Sequence, residues 1–167
     1  PMSARRQRQM CIRDRNSTGL TLRFPSAYRV AKVDSNFVWI RRDIETGSVN
    51  LFVSRYNDKD NSSVLKIRDS ISKHHIPGPV ENTFMSTDLI YTPSSQQISI
   101  RGKQILETRG LWEIKGQFMA GPFLNYQFES NTKQDEYIML DGFVYSPGSS
   151  KREYVFELEA IMRSLKN

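Results

Sequence analysis

Two histidines, His74 and His75, stand side by side near the middle of the chain, and the 167 residues contain no others. A Ser-His-Asp arrangement would have to use one of them, yet none of the serines lies in the Gly-x-Ser-x-Gly elbow that exposes a nucleophile on a tight strand-to-helix turn. Adjacent residues on a helix or strand point in different directions, so the two imidazoles are poorly placed to share one metal ion. A single cysteine, Cys11, excludes an intrachain disulfide and any multi-cysteine metal site. The glycines of Gly116–Gly121 lack the spacing of a phosphate-cradling loop. No catalytic residue, metal or cofactor is assigned. A hydrolase using His74 or His75 stays as the alternative, and it requires a closed pocket holding the imidazole beside a carboxylate.

A second group of residues points to binding. Alternation along a strand makes Glu107, Arg109, Leu111 and Glu113 project together, away from Leu106, Thr108, Trp112 and Ile114. Asp141 shares a face with Tyr137, Met139, Phe143 and Tyr145, and Asn125 and Gln127 alternate with apolar neighbours between these two strands. If the strands are adjacent, Glu107, Arg109, Glu113, Asn125, Asp141 and Tyr145 form one mixed face, with a guanidinium among carboxylates and aromatics at the edge. Such a face suits a polar ligand or a partner's loop. The competing reading is a solvated sheet face laced by cross-strand ion pairs.

Two helices and a set of strands must position these groups. Leu20–Phe24 reads as a short strand stopped by Pro25-Ser26. Phe37–Ile40 is apolar at both alternating positions, which predicts a strand covered on both sides. Glu45-Thr46-Gly47-Ser48 turns it into a hairpin with Val49–Tyr56. The polar run Asn57–Ser63 supplies an N-cap, and Val64, Ile67 and Ile71 recur at helical spacing to about Lys73, before Ile76-Pro77-Gly78-Pro79. Strands follow at Phe84–Tyr91, Gln96–Arg101, Gln104–Ile114, Phe123–Glu129 and Glu136–Tyr145. Gly110 inside one of them predicts a bulge or a close approach. Ser150 and Glu153 have capping-box spacing for a last helix, whose stripe Tyr154, Leu158, Ile161 and Leu165 needs an apolar platform. Leu124, Tyr126, Phe128, Ile138, Leu140 and Val144 supply it. The fold class is α+β, a mainly antiparallel sheet packed by two helices, with residues 16–167 as one domain. Trp39 and Trp112 read as packing residues.

The formal charge of +6 invites a nucleic-acid reading. Its distribution argues against one, because five arginines and one aspartate fall within Pro1–Arg15, whereas the other 152 residues carry 19 lysines and arginines against 17 acids. A groove for single-stranded nucleic acid interleaves aromatics with many cations, and the body has too few in excess. Nucleic-acid binding through the basic leader is therefore the third reading. That leader, residues 1–15, shows no structural periodicity and resembles a translated sequencing adapter. It is expected to be disordered and foreign, with the authentic chain continuing upstream of Asn16.

The stretches SNFVWIRRD (Ser35–Asp43), RDSISKHHIPGP (Arg68–Pro79), ETRGLWEIKGQFMAGPF (Glu107–Phe123) and DGFVYSPGSSKREYVFELEAIM (Asp141–Met162) resemble the C-terminal half of a domain-of-unknown-function family numbered 4837, found in Bacteroidota as lipoproteins. The resemblance spans about Leu20–Leu165. It implies a cell-envelope address, a lipid anchor in a missing N-terminal part as the sole membrane contact, and an accessory or binding role. The partner would be a protein or a glycan, with no nucleic acid. No catalytic residue transfers from the family. The order of elements is also similar, at the level of architecture, to the photosystem II extrinsic protein PsbP.

Overall fold

Apolar side chains at both alternating positions of Phe37–Ile40 require cover on both faces, and the computed structural model, which describes residues 9–13, 20–58 and 62–166, provides it. In chain order the strands are β1 (Gln9–Arg13), β2 (Thr21–Pro25), β3 (Arg29–Asp34), β4 (Phe37–Ile44) and β5 (Gly47–Asn57). After helix α1 (Val64–His75) come β6 (Met85–Asp88), β7 (Ser94–Ile100), β8 (Lys103–Ile114), β9 (Met119–Glu129), β10 (Glu136–Tyr145) and helix α2 (Arg152–Arg163). The main sheet runs β3-β4-β5-β10-β9-β8-β6, and β7 also pairs with β8, so β6 and β7 share one edge. Every pairing is antiparallel. This is the α+β architecture that the sequence pattern predicts.

Each face of the sheet has its own core. On one, α2 lays Leu158, Ile161 and Met162 over Leu51 and over Leu124, Tyr126, Ile138 and Leu140 of the predicted platform. Leu20, Leu22 and Phe24 of the β2 region join this core, and a bridge between Thr21 and Lys166 ties β2 to the end of the chain. On the other face, α1 packs Val64, Ile67 and Ile71 against a cluster containing Phe37, Phe52, Trp112, Phe123, Met139 and Phe143. β5 and β10, at the centre, are buried almost continuously along both faces, the pattern of doubly covered strands.

Helix α1 starts at Ser63, whose hydroxyl accepts from the Lys66 amide at 3.4 Å. Its last turn carries Lys73, His74 and His75, which suit the negative end of the helix dipole. Helix α2 departs from the expected capping box. Its N-cap is Lys151, in helical conformation and without a side-chain cap bond. Ser146 and Ser149 before it meet the β4–β5 turn instead, their Oγ atoms lying 2.6 and 3.3 Å from Thr46 Oγ1.

Two further elements differ from expectation. β3 has no counterpart in the sequence pattern, because as an edge strand it is mostly exposed and shows no alternation of apolar and polar residues. Gln9–Arg13, expected to belong to a disordered leader, are a strand paired antiparallel with Thr21–Pro25. The free edge of β2 offers the unpaired backbone groups that recruit such a strand. The remainder of the leader lies outside the described residues.

Candidate functional site

Helix α1 presents Arg68 on its sheet-facing stripe, four residues after Val64 and three before Ile71, and the guanidinium is fully buried. Burial of a cation demands a partner. Asp141 of β10, equally inaccessible, provides it: Arg68 Nε meets Asp141 Oδ2 at 2.7 Å and Nη2 meets Oδ1 at 3.2 Å. Asn125 Nδ2 of β9 donates to the same Oδ2 at 2.7 Å. Arg68 Nη1 donates to Thr87 Oγ1 at 3.2 Å, and the guanidinium carbon lies 3.9 Å from the centre of the Phe123 ring. Asp69 accepts from both the amide and the hydroxyl of Thr87, at 2.8 and 2.7 Å, fastening α1 to β6. Burial pushes the Asp141 carboxyl upward, and the Arg68 charge with the Arg68 and Asn125 hydrogen bonds opposes that rise. This constellation is closed to solvent and its charges are spent on each other, so it holds the fold and cannot receive a substrate.

The opposite face carries a second network. Glu107 of β8 accepts from Arg109 Nε at 3.0 Å and from Gln96 Nε2 at 2.9 Å, while Arg109 Nη2 reaches Glu159 of α2 at 3.1 Å. Arg163, one turn on, donates to the same Glu159 oxygen at 3.1 Å. Burial acts to raise the Glu107 carboxyl, but the hydrogen bonds from Arg109 and Gln96 outweigh it and hold it below the usual range. Tyr126 lies beside Glu107; burial and that negative charge push its hydroxyl up. Arg109 is partly exposed, whereas Glu107 is buried.

The six residues expected to share one surface are thus divided. Thr108 pairs with Asn125, and Asn125 with Asp141, which places Asn125 and Asp141 on the α1 face; Tyr145, at an alternate position on β10, is there too. Glu107, Arg109 and Glu113 project to the α2 face. Asn125 and Asp141 are fully buried and present nothing to a ligand. The physical reason is the double core: when both faces are covered, alternation separates two interiors and no longer separates core from solvent. Sequence reasoning misses Arg68 as the partner of Asp141, and its position on the apolar stripe of α1 is the available signal.

The histidines do not form a catalytic pair. His74 is exposed, and its Nδ1 lies 2.9 Å from the Ser70 carbonyl. His75 stacks on Phe37 with ring centres 4.0 Å apart, and its Nδ1 is buried without a protein partner among the described residues. Burial and Lys32 lower its basicity, Asp34 opposes them, and His74 adds to the lowering. No carboxylate oxygen lies within 4.0 Å of a ring nitrogen of either histidine among the described residues, nor is there a group of three metal-ligating side chains among them. Trp112 is core, and its Nε1 donates to the Val144 carbonyl at 3.1 Å.

One segment that is open to solvent is apolar. The strand expected over Phe84–Tyr91 stops at Asp88, which pairs with Leu111, and β7 begins where Ser94 pairs with Arg109, so residues 89–93 bulge out opposite the single residue Gly110. A side chain at position 110 would lie 2.8 Å from the Phe123 ring and 3.1 Å from Pro93, which is why glycine stands there. In the bulge Leu89, Ile90 and Tyr91 are 70%, 83% and 65% exposed. Arg109 and Leu111 flank its two ends.

Similarity to other proteins adds the family and the fold. No curated protein matches this sequence. Among solved structures, a mutant of protein Mog1 superposes with a TM-score of 0.54 at 10% identity, covering 95% of each chain. A Pseudomonas aeruginosa protein of unknown function, PA94, superposes with a TM-score of 0.51 at 11% identity, covering 95% of this chain and 96% of the other. These likenesses concern the fold alone. Residues 8–164 match the profile of the domain of unknown function DUF4837, and the chain belongs to that family.

Proposed function

We propose that this domain is a non-enzymatic binding module of the cell envelope, and that the Leu89–Tyr91 bulge is the element that meets a protein partner. The observation carrying this reading is the bulge itself. Three consecutive large apolar side chains stand in water on an edge that the chain leaves β8 to form, and such patches are where soluble domains meet partners. Tyrosine with aliphatic neighbours is the usual content of an interface centre, and Arg109 beside it supplies a charged rim. The charged groups that could have done chemistry are committed elsewhere: Arg68 to Asp141, and Glu107 to Arg109. The envelope address rests on the family resemblance.

The test immobilises the wild-type chain and a Leu89→Ser/Ile90→Ser/Tyr91→Ser variant and exposes both to detergent-solubilised envelope of the source bacterium. A protein enriched by wild type and lost by the variant is then purified and titrated against both chains. Saturable binding by wild type alone supports the proposal. Equal enrichment by the two chains overturns it.

A further inference from the structure

We infer that the shallow groove on the α1 side of the sheet, beyond the end of that helix, is a binding site for a neutral saccharide. The groove encloses about 480 Å³, and its walls include Gln97, Gln104, Leu106, Gln127, Glu129 and Tyr137. Pairing sets these residues in order. Gln97 of β7 lies beside Leu106 of β8, and Leu106 beside Gln127 of β9, so two amides flank one aliphatic side chain across three strands, a span of about 10 Å. One row further along, Glu129 pairs with Tyr137, and Tyr137 with Tyr56 of β5. The two tyrosine rings stack at 5.8 Å with 21° between their planes. Tyr56 covers Tyr137 from the β5 side, and Tyr137 borders the groove from the β9 side.

The chemistry of this lining selects the ligand class. A carboxamide is both donor and acceptor, which matches a hydroxyl, itself both. Gln97 and Gln104 are exposed and make no side-chain hydrogen bond among the described residues, so both amides are available. An aromatic ring with one covered face suits the C–H face of a pyranose, and Leu106 adds a second apolar contact. Glu129 and Lys103, the charged residues of the groove, offset one another, so the site favours neither anions nor cations. An extended peptide fits less well. Most of the groove lies on β8, β9 and β10, each paired on both sides, so strand addition is open only at the outer edge of β7, three strands from Tyr137. This site is separate from the bulge at residues 89–93 and does not depend on the partner proposed for it.

The experiment uses the full chain labelled with nitrogen-15, titrated with maltotetraose, cellotetraose, mannotetraose and chitotetraose, with tetra-alanine as the peptide control. The expected result is that at least one saccharide shifts the side-chain amide signals of Gln97, Gln104 and Gln127 in a saturable manner, with magnetisation passing from the Tyr137 ring to sugar protons. Tyr137→Ala weakens that binding about tenfold or more, Tyr137→Phe retains it, and the 89–91 serine variant leaves it unchanged. Because Tyr137→Ala removes a packed ring, Gln97→Ala/Gln104→Ala, at exposed positions, serves as the second variant and weakens binding without altering the fold. No saturable shift with any of the four sugars, equal shifts with tetra-alanine, or unaltered affinity in the double glutamine variant overturns the inference.

Discussion

Arg68 and Asp141, 73 positions apart in sequence, face each other in a two-point contact at 2.7 and 3.2 Å with neither side chain reaching solvent. One sits on a helix and the other at the centre of the sheet beneath it. The pair therefore fixes where α1 lies on the sheet, and with it the position of β6 through Asp69 and Thr87.

Removing one partner leaves a buried charge uncompensated, a loss of about 3–5 kcal/mol. Arg68→Met and Asp141→Leu each lower the midpoint of urea unfolding accordingly. The double variant recovers a large part of the loss, since two apolar groups replace a pair whose desolvation was costly. A double variant as unstable as the sum of the singles contradicts the assignment.

Arg109 and Glu107 behave differently because Arg109 is partly exposed while Glu107 is buried. Arg109→Ala takes away the main donor of a buried carboxylate and costs about 1–3 kcal/mol, seen as a lower unfolding midpoint. The Glu107 carboxyl titrates below its ordinary value in the folded chain. Its contribution to stability is therefore present above the unfolded value of about 4.3 and is lost as pH falls through the folded one. Glu107→Gln flattens the acid limb of the stability profile, measured by urea unfolding between about pH 3 and 6.

His75 titrates below its ordinary value, because burial disfavours the imidazolium and Lys32 reinforces the effect. The unfolded chain then binds a proton that the folded chain does not. Stability from this group is complete above about pH 6.5 and falls as pH drops from there towards the folded value. His75→Phe, which keeps the stacking on Phe37, removes that slope. Denaturant midpoints at about pH 7.5 and 5.5 report the difference.

How much of this was legible beforehand depends on what each pattern encodes. Doubly apolar Phe37–Ile40 foretold a strand covered on both sides, and the stripes on residues 64–71 and 154–165 foretold two helices packed on the sheet. β3 escaped because an exposed edge strand carries no alternation. The Arg109–Asp141 face failed for another reason. Alternation assigns each residue of one strand to one of two sides, but it does not say which side of β8 continues which side of β10 until the intervening β9 is placed. With two cores, both choices bury apolar residues, so hydrophobicity could not decide. Arg68 was overlooked because a cation on an apolar stripe is rare, and its meaning came only with the aspartate found across from it.

The bulge at residues 89–93 carries no fold energy in proportion to its size. Leu89→Ser, Ile90→Ser and Tyr91→Ser each change stability by less than about 0.5 kcal/mol, since the side chains they shorten are mostly in solvent. Thermal unfolding of the three variants checks this. A large loss in any of them means that the side chain packs inside the domain and is not free for a partner.

The most direct test places a photo-activatable amino acid at position 90 and, as a control, at Val33, which is 67% exposed on the distant edge strand β3. Both chains are produced in the source organism and irradiated in intact cells. The account predicts a discrete protein adduct from position 90 and none from position 33. No adduct from position 90, or the same adduct from both, contradicts it.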